Sequence, residues 1–178
     1  MAMITSGYTK VADLFFDDLR DSNLGVFWKL HNGSDTTAVC DGDGGTNAAV
    51  AAVCMVFRGV DTTTPMDVTP ATTSGGNTAH ANPPSLTHNN PAGVWTVIAG
   101  GAGHTRGAAP TYTFPTGYTT SAISVSANDS VDAAVGLGFR SSGVSNPEDP
   151  GVMTLSGTDS VDDAWSAVTM APGIGIHP

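Results

Sequence analysis

Apolar and small polar residues alternate along most of the chain. The alternation is clearest at residues 24–28 and 135–139, where every second residue is Leu, Val, Phe or Trp. A period of two is what a β-strand with one buried face requires. Turns rich in Gly, Asn and Pro separate such runs at short intervals, which is typical of a β-sandwich or barrel. We therefore predict an all-β fold, specifically an antiparallel β-sandwich of jelly-roll type.

Three further segments refine this prediction. Residues 50–57 are apolar on both faces, which indicates a strand at the centre of a sheet. Residues 94–98 have the composition of another buried strand. The apolar positions between residues 12 and 21 also fit a helical stripe, so this segment is either a short helix or a strand.

Short sequence matches recur in the same order at a nearly constant offset. A repeat of this kind indicates an internal duplication. We predict a first β half at residues 1–82 and a second at residues 83–178, packed together as one compact domain. The matches are Gly7-Tyr8-Thr9 with Gly117-Tyr118-Thr119, residues 24–28 and Lys29 with residues 135–139 and Arg140, and Gly45-Thr46 with Gly157-Thr158. Both Gly-Thr pairs precede an Ala/Val-rich segment.

The two predicted halves are unequal. A strand at residues 93–99 precedes the second copy, and the first copy lacks this leading strand. A sandwich built from these halves would keep one strand edge unpaired, which promotes association unless something covers the edge. A neighbouring subunit could supply the strand. We therefore expect a homo-oligomer, with strand exchange between neighbouring chains as one way to complete the sheet.

The charge of the chain narrows the range of partners. Six Lys and Arg residues face 16 Asp and Glu residues, which gives a formal net charge of -10. So few cations argue against nucleic-acid binding through a basic face and against attraction to an anionic membrane. No apolar run is long enough to span a bilayer, and the N-terminus lacks the pattern of a signal peptide. We expect neither nucleic acid nor a membrane among the partners.

The sequence resembles a family of tailed-bacteriophage virion proteins, most of which have no assigned role. The resemblance extends over almost the whole chain, and its sharpest motif is Arg-Gly-Val-Asp-Thr-x-Thr-Pro at residues 58–65, followed by an apolar residue and Asp67. Typical members carry an extra N-terminal segment with a further strand, which this chain lacks. The resemblance implies a β-sandwich component of the particle and implies no active site.

Four residues of this motif are predicted to build a structural turn. Gly59 allows an unusual backbone conformation, Asp61 can accept hydrogen bonds from the backbone that follows it, and Pro65 fixes the exit from the turn. A buried ion pair from Arg58 to Asp61 or to Asp67 would fix the corner. We interpret these residues as structural because Val60 interrupts any similarity to a receptor-binding tripeptide.

One loop has partial metal-binding character. Asp41 and Asp43 are spaced like the first ligands of a calcium loop, but Gly45 stands where a third ligand belongs and no distal Glu follows. The alternative is a Gly-rich hairpin loop. Calcium at Asp41 and Asp43 is therefore the one cofactor considered. Cys40 and Cys54, on either side of this stretch, are interpreted as small apolar residues, with a disulfide as the alternative.

No motif indicates a catalytic residue, so we expect a protein that is not an enzyme. The favoured hypothesis is a structural component of the virion, assembled in the host cytoplasm: a surface decoration or cement protein of the capsid. The alternatives are a tail or fibre component and a carbohydrate-binding or adhesin module. The last of these would use exposed aromatic residues, for which the candidates are Trp28, Trp95, Tyr112 and Tyr118.

Overall fold

The alternating segments form strands in the part of the chain that the structure describes. A computed structural model describes residues 2–17, 21–41, 50–76, 80–91, 95–104, 112–128, 131–155 and 164–174. The described residues contain no α-helix, and none of them belongs to a helix long and apolar enough to cross a membrane. The strands are β1 (Ala2–Met3), β2 (Thr9–Phe16), β3 (Ser22–Trp28), β4 (Cys40–Asp41), β5 (Ala71–Gly75), β6 (Thr96–His104), β7 (Tyr112–Thr113), β8 (Thr119–Asn128), β9 (Val131–Arg140), β10 (Thr154–Leu155) and β11 (Trp165–Met170).

Five of these strands form the central sheet. Their order is β5-β11-β6-β9-β8, and every neighbouring pair is antiparallel. The prediction of an all-β, antiparallel protein is therefore confirmed. Strand β5 comes from the predicted first half and pairs with β11 of the second, while the boundary between residues 82 and 83 stays a prediction.

A separate hairpin of β2 and β3 packs across one face of the central sheet, against β5, β11 and β6. Alternate side chains of the hairpin and of the sheet meet in an apolar core between the two layers. At one end of this core Ser22 Oγ hydrogen-bonds Ser166 Oγ at 3.1 Å. The buried members of this core are Ala12, Leu24, Val97, Val135, Val168 and Met170.

The opposite face of the central sheet is covered by aromatic and methionine side chains. Glycines of the sheet make room for them, since a Cβ on Gly138 would lie 2.5 Å from Phe114 Cδ1 and one on Gly136 would lie 2.8 Å from Tyr112 Cδ2. The glycines that alternate with apolar residues in β9 are thus required by close packing. This second core includes Ile98, Tyr112, Ala134, Met153, Leu155 and Ala167.

Two details of the predicted elements are settled by the structure. The segment that also fitted a helix is the strand β2, with Ala12 buried and Phe15 exposed. The prediction of a central strand at residues 50–57 is wrong, because these residues pair with no other described strand. They keep the alternation of a strand, with Ala51, Val53 and Phe57 packed on the interlayer core.

Candidate functional site

The turn at residues 58–65 is held by its own side chains. Gly59 has a φ of +74°, a conformation that favours glycine. The carboxylate of Asp61 accepts hydrogen bonds from Thr63 N at 2.7 Å and from Thr64 N and Oγ1 at 3.2 and 3.0 Å. These hydrogen bonds, the one from Thr63 N above all, lower the pKa of Asp61. The motif therefore forms an Asx turn whose conformation is specified locally.

This turn is bonded to the segment that follows the last strand. Asp61 N donates to Gly173 O at 3.0 Å, and Gly173 N donates to Pro65 O at 3.1 Å. The isolated bridges Val60–Ile174 and Met66–Pro172 extend the contact on both sides. Through these bonds the sequence motif joins the first half of the chain to the end of the second.

The predicted ion pair of Arg58 does not form with either carboxylate considered. Arg58 is exposed, and Asp61 is occupied by the turn. Asp67 instead accepts hydrogen bonds from Asn89 N at 2.7 Å and Asn90 N at 3.3 Å, so it fixes a different loop. Backbone donors close to both aspartates satisfy them better than a long arginine side chain would.

A shallow groove of about 660 Å³ borders this corner. Its one ionisable side chain is Asp67, which is already hydrogen-bonded to the neighbouring loop. We find in it no arrangement of acid and base that would suggest a reaction. The residues that line it are Met66, Asp67, Val68, Thr69, Pro70 and Asn89.

The strongest polar site was missed by sequence reasoning. Glu148, the only glutamate of the chain, is almost fully buried, with 1 % of its side chain exposed. Its Oε1 accepts from Tyr118 OH at 2.8 Å and from Arg140 at 3.0 Å. Its Oε2 accepts from Ser145 N at 2.7 Å and Ser145 Oγ at 2.5 Å. The rarity of glutamate in this chain was the one signal that could have drawn attention to it.

Electrostatics keep this carboxylate ionised. Burial alone would raise the pKa of Glu148, but the hydrogen bonds from Ser145 and Tyr118 and the charge of Arg140 outweigh it and lower the pKa. Burial and the same hydrogen bond raise the pKa of Tyr118 far above its usual value. The carboxylate thus accepts four hydrogen bonds, two at each oxygen. The cluster of Glu148, Tyr118, Arg140 and Ser145, which we call the latch, ties the loop before Glu148 to the turn at Tyr118.

A similar but looser arrangement occurs in the first half. Lys29 Nζ pairs with Asp35 at 2.8 Å and lies 5.7 Å from the centre of the Tyr8 ring. The turns beside the two sites also match: Gly7 and Gly117 have φ values of +85° and +88°. Tyr8, Lys29 and Asp35 therefore stand in the places of Tyr118, Arg140 and Glu148.

The strands around these two sites pair in the same way. Thr9 pairs with Trp28 and Thr119 with Phe139, and both hairpins have a register shift two residues into the first strand. The small ribbons agree as well, since Met3 pairs with Cys40 where Thr113 pairs with Thr154. The pairings among β1 to β4 thus match those among β7 to β10 in order and register.

The two hairpins differ at one edge. Strand β9 pairs with β8 on one side and with β6 on the other. Among the described residues its counterpart β3 pairs with β2 alone. The edge of β3 that corresponds to the β6 side of β9 therefore has no strand beside it in the described part of the chain.

The remaining predicted site residues give no assembled site. Asp43 lies outside the described residues and of Asp41 only the backbone is described, so the calcium site stays a prediction. No group of three His, Cys, Asp or Glu side chains converges in the described ranges. Cys40 and Cys54 are free thiols.

The aromatic candidates for sugar binding are not free. Tyr112 and Tyr118 are buried, and Trp28 is half-buried. Trp95 packs on Phe57, with ring centres 5.0 Å apart. Exposed aromatic residues beside a polar loop would have favoured a carbohydrate-binding module, and none of these four provides them.

The described sites therefore define a β-sheet protein whose polar clusters fix loops to strands. Comparisons with protein-family models, with curated proteins and with solved structures found no match in any of the three.

Proposed function

We propose that this protein is a non-enzymatic structural subunit of a tailed-phage particle, a decoration or cement protein on the outside of the capsid. The phage assignment is supported by the resemblance carried by residues 58–65. The structural role of that motif is consistent with it, because the turn ties the first half of the chain to the segment after the last strand through Asp61 and Gly173. A tail or fibre position is the alternative within the same class.

One observation carries the proposal of a subunit that binds neighbours. Six of the seven large hydrophobic side chains that are exposed among the described residues lie between residues 4 and 56. A concentration of exposed apolar surface on one part of a protein indicates a contact with another molecule. The six are Ile4, Phe15, Leu30, Val39, Val50 and Val56, and the seventh is Val152.

We further propose that the fold is a jelly-roll-type sandwich of two related halves. The matching registers of the two hairpins and the two ribbons support this duplication. The two halves share the interlayer core, since Leu24 and Val135, which occupy equivalent positions, are both buried in it. A duplicated fold with one incomplete half would direct its association to a single face.

The experiment that tests the function is localisation on the particle. Antibodies against the purified chain should label intact phage particles that encode it, and electron microscopy should place the label on the capsid. Stripping and adding back the chain should leave the capsid intact but change its thermal stability. Label on the tail would favour the alternative position, and particles without the chain would overturn the proposal.

Solution mass provides an independent test of the assembly role. Light scattering on a sizing column, with calcium and with chelator, should give a defined oligomer or a chain that associates through its exposed apolar side chains. A stable monomer that ignores calcium would instead favour an appendage docked on a lattice that it does not help to build. The same experiment tests calcium at Asp41 and Asp43.

A further inference from the structure

The two halves of the chain differ by one strand at equivalent positions. Strand β6 lies between β9 and β11 and is antiparallel to both. The equivalent of β9 is β3, because both pair with the preceding strand in the same register. No described strand occupies the place beside β3 that β6 occupies beside β9.

The segment at residues 50–57 is the counterpart of β11. Gly45-Thr46 precedes it as Gly157-Thr158 precedes β11 in the sequence. Ala51, Val53 and Phe57 pack on the same interlayer core as Val168 and Met170 of β11. The segment alternates between half-buried and exposed residues as a strand does, yet it has no strand partner among the described residues.

The position of the empty place follows from the packing of the layers. Strand β3 packs over β6. Because β3 is the equivalent of β9, the contact between β3 and β6 corresponds to a contact between β9 and the strand that would be equivalent to β6. The empty place therefore lies over β9. Leu137 and Phe139, which face this side of β9, are only half-buried although β9 is an inner strand. On its other face Gly136 and Gly138 are buried.

We propose that the space between β3 and residues 50–57 accepts one β-strand from a neighbouring protein of the assembly, antiparallel to β3. The accepted strand pairs with β3 on one edge and residues 50–57 on the other, and its inward side chains cover Leu137 and Phe139. Backbone hydrogen bonds on both edges would provide the affinity, as in other cases of strand addition. This inference rests on the proposed function only in requiring that the subunit has neighbours.

We call the space between β3 and residues 50–57 the acceptor. The residues of these two segments determine the chemistry of the strand that it accepts. Neither Ser22–Trp28 nor residues 50–57 contain a charged residue, so the donor is an uncharged strand. The length of β3 sets a donor segment of about seven residues. None of the strands β1 to β11 of a folded second copy fits, because each of them already has one edge bonded, whereas the accepted strand needs both edges free.

A peptide with the sequence of β6, residues 96–104, is the matched probe, because β6 fills the equivalent place in the second half. Lysines at both ends keep it soluble. Hydrogen exchange followed by mass spectrometry reports on the full chain with and without this peptide. We expect exchange to slow by about tenfold or more at residues 22–28 and 51–57, with no change in β9. The control peptide has prolines at the positions of Ala99 and Gly101, and it should protect nothing.

A dye on Cys54 provides the second readout. Cys54 is an exposed position of the 50–57 segment, and Cys40→Ser makes it the single labelling site. The β6 peptide should change the emission of this dye, but not of a dye attached to V152C in a chain without other cysteines. Val152 is exposed on the second half, away from the acceptor.

Three results would overturn the acceptor. They are no binding of the β6 peptide at millimolar concentration, equal protection by the proline control, and protection of residues 51–57 in the dilute monomer before any peptide is added. If the chain still labels phage particles in any of these cases, the proposed function survives and only the acceptor is lost. If the peptide binds but particles lack the chain, the reverse holds.

Discussion

The two hairpins of this protein have the same local design and different surroundings. Hairpins β2–β3 and β8–β9 share their register, their irregularity in the first strand and a preceding glycine with positive φ. Hairpin β8–β9 is nevertheless built into a five-stranded sheet, while β2–β3 forms a two-stranded sheet of its own. Strand pairing is thus specified within each hairpin, whereas the neighbours of each hairpin are specified by its packing surfaces.

Residue identity follows these surroundings closely. Gly138 of β9 stands where β3 has Phe27, because both are the second paired position of their hairpins. Phe114 covers Gly138 and excludes any side chain there. Phe27 is half-buried, so the corresponding face of the first hairpin is less completely covered. The two hairpins therefore differ in residue type where one is enclosed and the other is not.

The carboxylates beside the two hairpins, Glu148 and Asp35, are expected to give the largest difference in stability between them. Glu148→Ala would leave the buried hydroxyl of Tyr118 without its acceptor and the half-buried guanidinium of Arg140 without its carboxylate, so we expect a loss of about 3 kcal/mol in the free energy of unfolding. Asp35→Ala removes the equivalent but more exposed partner of Lys29 and should cost far less. Urea denaturation of both variants measures the difference. Equal losses would mean that the two sites are not distinguished by burial.

The covered glycine gives the next largest effect. Gly138→Ala places a Cβ 2.5 Å from the ring of Phe114, and relieving this overlap should cost about 2 kcal/mol of stability. Gly101→Ala is the matched control on the other face of the same sheet, where the nearest atom is Leu24 Cδ1 at 3.2 Å. A leucine end can move by a few tenths of an ångström, so the control should be nearly neutral. Thermal unfolding of both variants decides the point, and a neutral Gly138→Ala would contradict the close packing of this face.

These comparisons also explain how far the sequence could predict the fold. The period of two identified β3 and β9 because each packs alternate side chains against the interlayer core. Residues 50–57 are predicted at the centre of a sheet because they are apolar on both faces, but a central strand also needs partners at both edges, and these residues have none among the described strands. Alternation reports burial of a face, and it carries no information about the partner at an edge.

The polar site escaped prediction for a related reason. Glu148 lies in a turn-rich stretch that gives no periodic signal, and its partner Tyr118 is 30 residues away in the sequence. The Arg58 ion pair failed because nearby backbone donors satisfied both aspartates first. Local turn chemistry could be predicted from residue types at short spacing, whereas convergence of distant side chains could not.

The pH dependence of stability gives a third test of the contrast. The pKa of Glu148 is lower in the folded chain than in the unfolded chain, so its contribution is full above the unfolded pKa, near 4.5, and is lost as the pH falls through the folded value. Asp13, Asp35 and Asp61 have lowered pKa values as well, and burial lowers the pKa of His88 against the opposing charges of Asp67 and Glu148. The pH dependence of stability that is due to Glu148 is therefore measured as the difference between the native chain and a variant without this carboxylate. Urea midpoints between pH 7 and pH 3 should fall more steeply for the native chain than for Glu148→Gln, and parallel curves would contradict the latch.

The smallest expected effect tests whether the two hairpins unfold together. Gly7→Ala and Gly117→Ala each place an alanine at a φ near +85°, which costs about 1 kcal/mol wherever the turn is formed. The nearest atoms at both sites belong to flexible side chains, Lys29 and Arg140, so contact adds little to either cost. If the chain unfolds as one unit, both variants should lower a single transition by the same amount. If the first hairpin opens on its own, Gly7→Ala will shift only an early step, and hydrogen exchange at residues 22–28 will rise while that of β9 stays unchanged. The second outcome would mean that the exposed edge of β3 makes the first half the less stable part of the fold.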